Sequence, residues 1–319
     1  GDGKNYSPDF GLPGTHYEKK TPEGEKRFCY LDMGENPPEG VIVNYFLESE
    51  PEQPLELFFL DTSGAEIERF SSNKSDKGPK DKYNEDEEKK PRLTTKLGFN
   101  RFVWNMRYHG PEVKIDKSLE EPGYKALGRI SPFEGGSPGG PLAPPGNYQV
   151  QMKVGPTVLT HSFAIVKDPR LNTTPEDFAL QFKMWIKIRN QVSNVNTAIN
   201  RLRRIKRQIV ELLVRENFKN SGGKQQFDEV RQAAELLKEQ LSMIENQLTQ
   251  TQYETPSDRL RHPTMLKQRM EALVSVVAIS DAKPPQQAQS VFEHLSSQIE
   301  NHQIQKLKIL ACALPESVN

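Results

Sequence analysis

The chain has 319 residues, with 43 basic and 43 acidic side chains and no formal net charge, so its composition gives no reason to expect a nucleic-acid partner. No apolar run approaches the roughly 20 residues that span a bilayer, and no basic-then-apolar signal pattern opens the sequence. From the first residue, Gly1, we expect a processed protein or a fragment. These features predict a protein without nucleic acid and without membrane insertion.

The composition changes near Asp168, and this change predicts two domains. Most prolines, glycines and aromatic residues precede Asp168, whereas Gln, Leu, Ile and Arg follow it in helical periodicity. A chain of this length has room for two hydrophobic cores. The predicted parts are an N-terminal extension over 1–26, a β domain over 27–167, a linker over 168–173, a helical domain over 174–314 and a tail over 315–319.

Short β-rich runs alternate with turn signals between 27 and 167, which predicts an antiparallel sandwich of the immunoglobulin or fibronectin type III kind with roughly seven strands. The near-continuous apolar runs Val41–Leu47 and Leu55–Leu60 suit central strands. A period of two in Arg101–Tyr108 makes Trp104 a core anchor, with a sugar-binding platform as the alternative. The residues expected on that inner face are Phe102, Trp104, Met106 and Tyr108.

Two insertions interrupt the predicted sandwich. Residues 71–92 are rich in Lys, Asp and Glu and bury too little apolar surface to order themselves, so we expect a mobile loop. Residues 110–142 are rich in Gly, Pro and charge, and we expect a second mobile insertion. Its glycine-rich end is followed by Pro141 and not by a helix start, which excludes a phosphate-cradling loop.

Residues 174–314 carry apolar side chains at three-four spacing, which predicts four amphipathic helices. Thr174-Pro175-Glu176-Asp177 is a helix start, with a hydroxyl cap, Pro at the first position and acids in the first turn. The helices are expected at about 175–217, 224–251, 257–279 and 285–313. Short links favour an up-down four-helix bundle, with a long antiparallel coiled coil as the alternative. The expected seam residues are Trp185, Val192, Ile199, Leu237 and Leu241.

A basic run on the first helix is a possible interaction site for phosphate or an acidic partner. It consists of Arg201, Arg203, Arg204, Lys206 and Arg207. Leu202 and Ile205 interrupt it at seam positions, and no aromatic residue interleaves for base stacking. A solvated basic face is therefore the preferred interpretation.

The sequence has no motif for catalysis, a metal or a cofactor. Its six histidines include no His-x-x-x-His pair, and Cys29 and Cys312 lie near opposite ends of the chain, so both are expected as free thiols. Carboxylate pairs such as Glu66 and Glu68 alternate along a strand with solvent-facing parity. We therefore expect no catalytic residue, no cofactor, no metal site and no independent enzyme.

Several segments occur in an order that resembles a known family. They are Asn36–Leu47, Gly98–Tyr108, Ala143–Tyr148 and Lys167–Arg170, with Ile188–Asn190 and Ala198–Arg201 on the first helix. Together they resemble the C-terminal region of large bacterial proteins with sialidase-like or sortilin-like β-propellers, often labelled glycosyl hydrolases. The resemblance implies an exported protein, periplasmic or secreted, whose propeller would precede Gly1.

No Asp-box of the propeller kind occurs in this chain, so no catalytic residue is carried over from the resemblance. The leading hypothesis is a non-catalytic accessory segment that contacts the upstream propeller or other protein subunits. A second hypothesis is a module that binds carbohydrate or the cell envelope through exposed aromatic residues such as Tyr83 or Tyr124. A third is a glycoside hydrolase that uses carboxylates of the 110–142 segment.

Overall fold

The computed structural model describes residues 6–8, 15–20, 26–30, 38–73, 91–119, 139–219, 224–252, 258 and 260–313. Within them the chain combines antiparallel sheets with four helices and divides into two compact units. The β unit takes the described residues up to Met106 together with Gln149–Ser162. The helical unit takes Arg107–Tyr148 and the described chain from Phe163 onward.

The strands of the described residues form three sheets, with orders β1-β2-β3, β4-β7 and β6-β5-β8-β9. Their bounds are β1 Tyr6–Pro8, β2 Thr15–Lys20, β3 Lys26–Tyr30, β4 Val41–Leu47, β5 Leu55–Leu60, β6 Glu66–Ser71, β7 Gly98–Trp104, β8 Gly146–Val154 and β9 Thr157–Ile165. β1 and β2 lie in the stretch for which the sequence predicts only an extension. Cys29 on β3 is a free thiol.

Aromatic side chains from β5 and β7 meet in the core of the β unit. Trp104 is fully buried and stacks on Phe59, with ring centroids 4.3 Å apart. Phe102 lies against Phe70, with centroids 4.6 Å apart. Phe59 of β5 and Phe70 of β6 belong to one sheet and β7 to another, so these contacts join the two sheets by their inner faces.

The strand predicted from Arg101 to Tyr108 ends early. β7 stops at Trp104, and Met106 has a φ of 57°, a left-handed conformation that interrupts extended backbone. The prediction that Met106 and Tyr108 share the inner face with Trp104 is therefore wrong.

Gly40, just before β4, occupies a position that requires glycine. Its φ is +138°, and a Cβ at this position would lie 2.1 Å from the carbonyl oxygen of Trp104. Only glycine allows the two backbones to approach this closely. The register then pairs Val41 with Trp104 at the start of the β4-β7 ladder.

A register shift in the β5-β6 ladder changes the side-chain parity of β6. The shift lies between Phe59 and Leu60, and on β6 both Ile67 and Glu68 are buried. A bulge of this kind breaks the strict alternation on which the prediction for Glu68 depended. The prediction that Glu68 faces solvent is wrong.

The helical unit contains α1 Pro175–Lys219, α2 Lys224–Leu248, α3 Leu266–Val277 and α4 Gln286–Ala313. At the start of α1 the Asp177 amide donates to Thr174 Oγ1 at 3.2 Å, and Thr174 Oγ1 lies 3.0 Å from Asp177 Oδ2, as the sequence motif predicts. α3 begins later than the predicted residue 257. Pro263 explains this delay, because proline restricts the residue before it and has no amide to donate.

The helices share one apolar core, built mostly from the seam of α1 and its neighbours on α2, α3 and α4. Ile188, Val192, Val195, Ile199 and Leu202 are fully buried along α1. This stripe at three-four spacing packs against Leu241, Met270 and Ile299 of the other helices. Among the described helices, none has the length and apolar composition needed to cross a bilayer.

Candidate functional site

The residues predicted to be structural lie in the two cores. Trp104 is buried in the β unit, and Trp185, Val192, Ile199 and Leu241 are buried in the helical unit. Leu237 is partly buried against the same helical core. The five buried residues among them are not available as surface contacts. Any interaction site must therefore be sought among other side chains.

The basic run of α1 does not form one surface. Arg203 and Lys206 are buried, whereas Arg201, Arg204 and Arg207 are exposed. Arg203 Nε lies 2.6 Å from Glu245 Oε1, and Lys206 Nζ lies 2.7 Å from Glu245 Oε2. The interpretation of the run as one solvated or partner-binding face is therefore wrong for Arg203 and Lys206.

The physical reason is the position of these two residues on the helix. Arg203 and Lys206 flank the seam residue Leu202 closely enough to face α2, where Glu245 is itself buried. Buried charges are stable only when they are paired, and each oxygen of the Glu245 carboxylate lies against one of the two cations. The sequence contains a signal for this cluster, because Glu245 follows the seam residues Leu241 and Ile244 on α2.

A second buried carboxylate lies on α3. Glu271 is almost fully buried, and its Oε1 lies 2.8 Å from Lys267 Nζ. Its Oε2 has no hydrogen-bond partner. Burial raises the pKa of Glu271 above its ordinary value, and the nearby Lys267 lowers it by less.

The outer face of the β4-β7 sheet exposes a cluster of large apolar side chains. We call this cluster the Phe46–Phe99 face. It consists of Ile42, Phe46, Leu97 and Phe99, with Asn44 and Arg101 between them. Phe99 is 83% exposed and Phe46 is 56% exposed. An apolar surface of this kind marks a site of protein contact or ligand binding more often than an isolated exposed side chain does.

The geometry of this face follows from the strand register. Phe46 and Phe99 are cross-strand partners, and their rings meet edge to face with centroids 5.2 Å apart. Asn44 Oδ1 accepts a hydrogen bond of 2.9 Å from Arg101 Nε two pairs further along, on the same face. These contacts hold the aromatic pair and the polar pair side by side on the sheet.

Sequence reasoning missed this face. The run Val41–Leu47 is apolar on both parities, which predicts a central strand covered on both sides. In the described part of the chain, β4 has only β7 as a partner, and one face of the pair is exposed. The available signal was the opposite parity of Phe46 and Phe99 relative to the buried Tyr45 and Phe102.

Residues 109–119 run along α1 as irregular chain, with a bend at 112–113 and a short 3-10 helix at Lys117–Leu119, and we call them the strap. Asn196 Nδ2 donates to the Val113 carbonyl at 2.7 Å. Asn200 Nδ2 donates to the Lys114 carbonyl at 2.8 Å, and its Oδ1 accepts from the Asp116 amide at 2.8 Å. The mobility expected for the insertion over 110–142 stays a prediction, and the strap contacts α1 through these hydrogen bonds.

Two arginines extend this row of contacts at its ends. Arg189 Nη1 donates to the His109 carbonyl at 3.5 Å, and Arg207 Nη1 donates to the Ser118 carbonyl at 3.4 Å. The four side chains that bond the strap backbone are Arg189, Asn196, Asn200 and Arg207. Their spacing of seven, four and seven residues places them on one side of α1.

The sugar-contact candidates Tyr83 and Tyr124 lie outside the described residues, as does most of the charged segment 71–92. In the part of the chain that the structure describes, no group of three or more His, Cys, Asp or Glu side chains is arranged to hold a metal ion. Comparison with protein-family models, with curated proteins and with solved structures gives no match.

Proposed function

We propose that this chain is a non-catalytic interaction segment that docks onto another protein through the Phe46–Phe99 face. The exposure of this face is the observation that carries the proposal. Phe46, Phe99 and Leu97 leave more than half of their surfaces in water, which is unfavourable for an isolated domain and favourable once a partner covers them.

The composition of the face fits a protein partner. Aromatic side chains and arginine are enriched where proteins meet, and a central apolar pair beside polar groups is the usual arrangement of such a contact. Here Phe46 and Phe99 are the apolar centre, and Asn44 and Arg101 are the polar neighbours. A partner that covers the pair gains apolar burial and keeps the polar hydrogen bond.

The described buried charges support a structural role for the rest of the chain. Glu245 forms ion pairs with both Arg203 and Lys206 in the helical core, and Lys267 lies against Glu271. Charges that are buried in pairs between helices hold those helices together, and they are not placed where a substrate would meet them.

The proposed architecture is an immunoglobulin-like or fibronectin type III-like sandwich followed by an up-down four-helix bundle. The contacts of Phe59 and Phe70 with Trp104 and Phe102 across two sheets support the sandwich. The core that α1 shares with the other three helices supports a bundle over the alternative of a long antiparallel coiled coil.

The proposed partner is a β-propeller, and the proposed location is periplasmic or secreted. Both proposals come from the family resemblance of segments such as Gly98–Tyr108 and Ala143–Tyr148. Gly98–Tyr108 contributes Phe99 and Arg101 to the Phe46–Phe99 face, so the segment that carries the resemblance also supplies half of the proposed contact.

Site-specific photo-crosslinking tests this function. A photoreactive phenylalanine analogue replaces Phe46 in cells that make the protein, and crosslinked products are identified by mass spectrometry. We expect a discrete adduct with a propeller-containing polypeptide. Leu159 on β9 is the matched control, because its exposure of 58% is close to the 56% of Phe46, and we expect no propeller adduct there.

Three outcomes would reject the proposal. Equal propeller adducts at Phe46 and Leu159 would mean that the Phe46–Phe99 face is not a specific contact site. An adduct with glycan in place of protein would favour the carbohydrate-binding alternative. Turnover of a glycoside by the purified chain, lost on changing one carboxylate, would establish the hydrolase alternative.

A further inference from the structure

One edge of the largest described sheet has the properties of a surface that pairs with itself. β9, Thr157–Ile165, ends the strand order β6-β5-β8-β9 in the described part of the chain. We propose that β9 pairs antiparallel with β9 of a second copy of this chain, so that the sheets of two copies join into one. This edge is distinct from the Phe46–Phe99 face, and the pairing does not depend on the function proposed for that face.

The two ends of this sheet differ in their protection against pairing with another chain. The strand at the other end, β6, carries Glu66, Glu68 and Arg69 among six residues, and its ladder has a register shift. Charges and bulges on an edge strand discourage such pairing. β9 is longer, with nine residues, and contains no lysine, arginine, aspartate, glutamate or proline. β9 therefore lacks the protection that β6 has.

The hairpin between β8 and β9 determines which backbone groups lie at the edge. The connection consists of Gly155 and Pro156, and Gly155 has a φ of 56°. Residues that flank a two-residue loop form a hydrogen-bonded pair, and such pairs alternate along the ladder. The odd-numbered residues of β9 therefore bond β8. The amides and carbonyls on the open side belong to the even-numbered residues, which are Val158, Thr160, Ser162 and Ala164.

Side-chain contacts support this register. Gln151 Nε2 donates to Thr160 Oγ1 at 3.4 Å, and the rings of Tyr148 and Phe163 stack with centroids 5.9 Å apart. Both are the opposite pairs that a two-residue loop predicts. Tyr148 is buried, so the odd-numbered residues of β9 lie on the inner side of the sheet, yet Leu159 is 58% exposed there. The inner side of β9 is thus as open as its edge.

The side chains of β9 are complementary to those of a second β9 strand. An antiparallel pair centred on His161 uses the whole strand, because His161 is its midpoint. Apolar side chains then meet apolar ones and a hydroxyl meets a hydroxyl, and such pairs stabilise antiparallel sheets. The opposite residues are Val158 with Ala164, Leu159 with Phe163, and Thr160 with Ser162. His161 faces the same residue of the second copy across the two-fold axis.

The backbone also favours this register. Each opposite pair of even-numbered residues exchanges two hydrogen bonds, so the four pairs form about eight. A protein interface has about ten direct hydrogen bonds, so the number is sufficient for specific association. A register centred on Thr160 leaves Ala164 without an opposite residue and forms only about six. A chain without formal net charge opposes this approach of two copies least.

Charge substitution at His161 tests the pairing in the full chain. Sedimentation equilibrium of the unsubstituted protein is expected to show a dimer that dissociates on dilution. His161→Glu and His161→Lys each place two like charges opposite one another, so each should weaken dimerisation at least about tenfold. An equal mixture of these two variants should recover the dimer, because opposite charges then meet across the axis. If the mixture stays monomeric, the proposal is wrong.

Gln149→Glu is the matched control for the added charge. Gln149 is exposed in the same sheet, but it lies on β8, which is flanked by β5 and β9. We expect this variant to dimerise like the unsubstituted chain. Equal dissociation of Gln149→Glu and His161→Glu would contradict the assignment of β9. A monomeric unsubstituted chain at its highest soluble concentration would leave the edge to a strand of another protein and overturn the second-copy assignment.

Single cysteines report the register without any change of charge. His161→Cys should form a disulfide between two copies, because opposite residues outside the hydrogen-bonded pairs have Cα atoms about 4.5 Å apart. Thr160→Cys lies opposite Ser162 and should not form one. Peptide mass spectrometry separates this disulfide from any that involves Cys29 or Cys312. A disulfide at Thr160→Cys and none at His161→Cys would overturn the register.

Phe99→Ala distinguishes β9 from the Phe46–Phe99 face. It is expected to leave the dimer intact, because Phe99 lies on β7 in a different sheet. A photoreactive side chain at Leu159 is expected to crosslink a second copy. If Phe99→Ala dissociates the dimer and His161→Glu does not, the two copies meet through the Phe46–Phe99 face and the β9 pairing is wrong.

Discussion

The two faces of β7 carry similar aromatic residues in opposite environments. Phe102 and Trp104 point inward and are buried against β5, whereas Phe99 points outward and is 83% exposed. Their chemistry is the same, so the difference comes from what covers each face. The inner face stabilises the β unit, and the outer face is available to a partner.

The same contrast recurs on α1. Arg203 and Lys206 are held in the core by Glu245, while Arg204, next to them in sequence, is exposed. A rotation of about 100° per residue separates a structural cation from a surface cation. In both units, then, burial and not residue type separates structural side chains from candidate contacts. The predictions below test that separation, beginning with the largest expected effect.

The largest effect is expected for Ile199→Asp in the α1 seam. Ile199 is fully buried among apolar side chains, so an aspartate there would be an unpaired charge in the core. We expect a loss of at least about 5 kcal/mol of stability or an unfolded helical unit. Far-UV circular dichroism and thermal melting measure it. Leu212→Asp on the exposed side of α1 is the control, and equal loss in both variants would contradict the assignment of the seam.

Trp104→Ala tests the inner face of β7. Removal of a fully buried tryptophan leaves a cavity beside Phe59 and is expected to cost about 4 kcal/mol. Phe99→Ala on the outer face is expected to change stability by no more than about 0.5 kcal/mol. Differential scanning calorimetry measures the stability of both variants. A large loss for Phe99→Ala would show that the outer face is part of the core.

Glu245→Gln tests the buried charges of the helical core. The change keeps the shape of the side chain but removes the negative charge that lies against both Arg203 and Lys206, so we expect a loss of about 3 kcal/mol. Chemical denaturation measures the loss. Replacement of all three charged residues by aliphatic ones should recover most of it, and Arg204→Met should have almost no effect. If Glu245→Gln leaves the free energy of unfolding unchanged, the charged cluster is open to water.

Glu271→Gln is expected to change the pH dependence of stability more than stability itself. The pKa of Glu271 is raised in the folded protein from 4.5, so the folded state holds this proton more tightly than the unfolded state. The free energy of unfolding therefore falls as pH rises from about the ordinary glutamate pKa through the higher folded value. Glu271→Gln should remove this fall.

Urea unfolding at a series of pH values measures the effect of Glu271→Gln. Glu235→Gln is the control, because Glu235 is an exposed residue paired with Arg231 on the helix surface. We expect this control to keep the slope of the unsubstituted protein. Equal slopes in the Glu271 variant and the unsubstituted protein would rule out Glu271 as the source of the pH dependence.

The periodicity of the sequence predicts most elements of the fold. Strands β4 and β5 and the starts of α1 and α2 lie where alternation, three-four spacing and helix caps place them. Local signals suffice there because each element satisfies its own backbone and presents one regular apolar pattern. The late start of α3 is different, since the apolar spacing continues across Pro263 and conceals the break.

The candidate surfaces were much less predictable. The parity of Phe46 and Phe99 is readable in the sequence, but the sequence does not tell which parity is covered when both are apolar. The strap is harder still, because Asn196 and Asn200 look like ordinary polar helix residues until Val113 and Lys114 are brought against them from a distant part of the chain. Side-chain bonds to a remote backbone leave no periodic trace.

The sequence by itself therefore determined the mixed β and α class, the change of composition near Asp168, the helix start at Thr174 and the apolar stripe of α1. These features depend on residues that are neighbours in the chain or lie one helical turn apart. Only the tertiary structure decided which cations are buried with Glu245, which aromatic face of β7 is exposed and where the strap lies. Those outcomes depend on contacts between distant residues, where packing and desolvation, and not local periodicity, set the free energy.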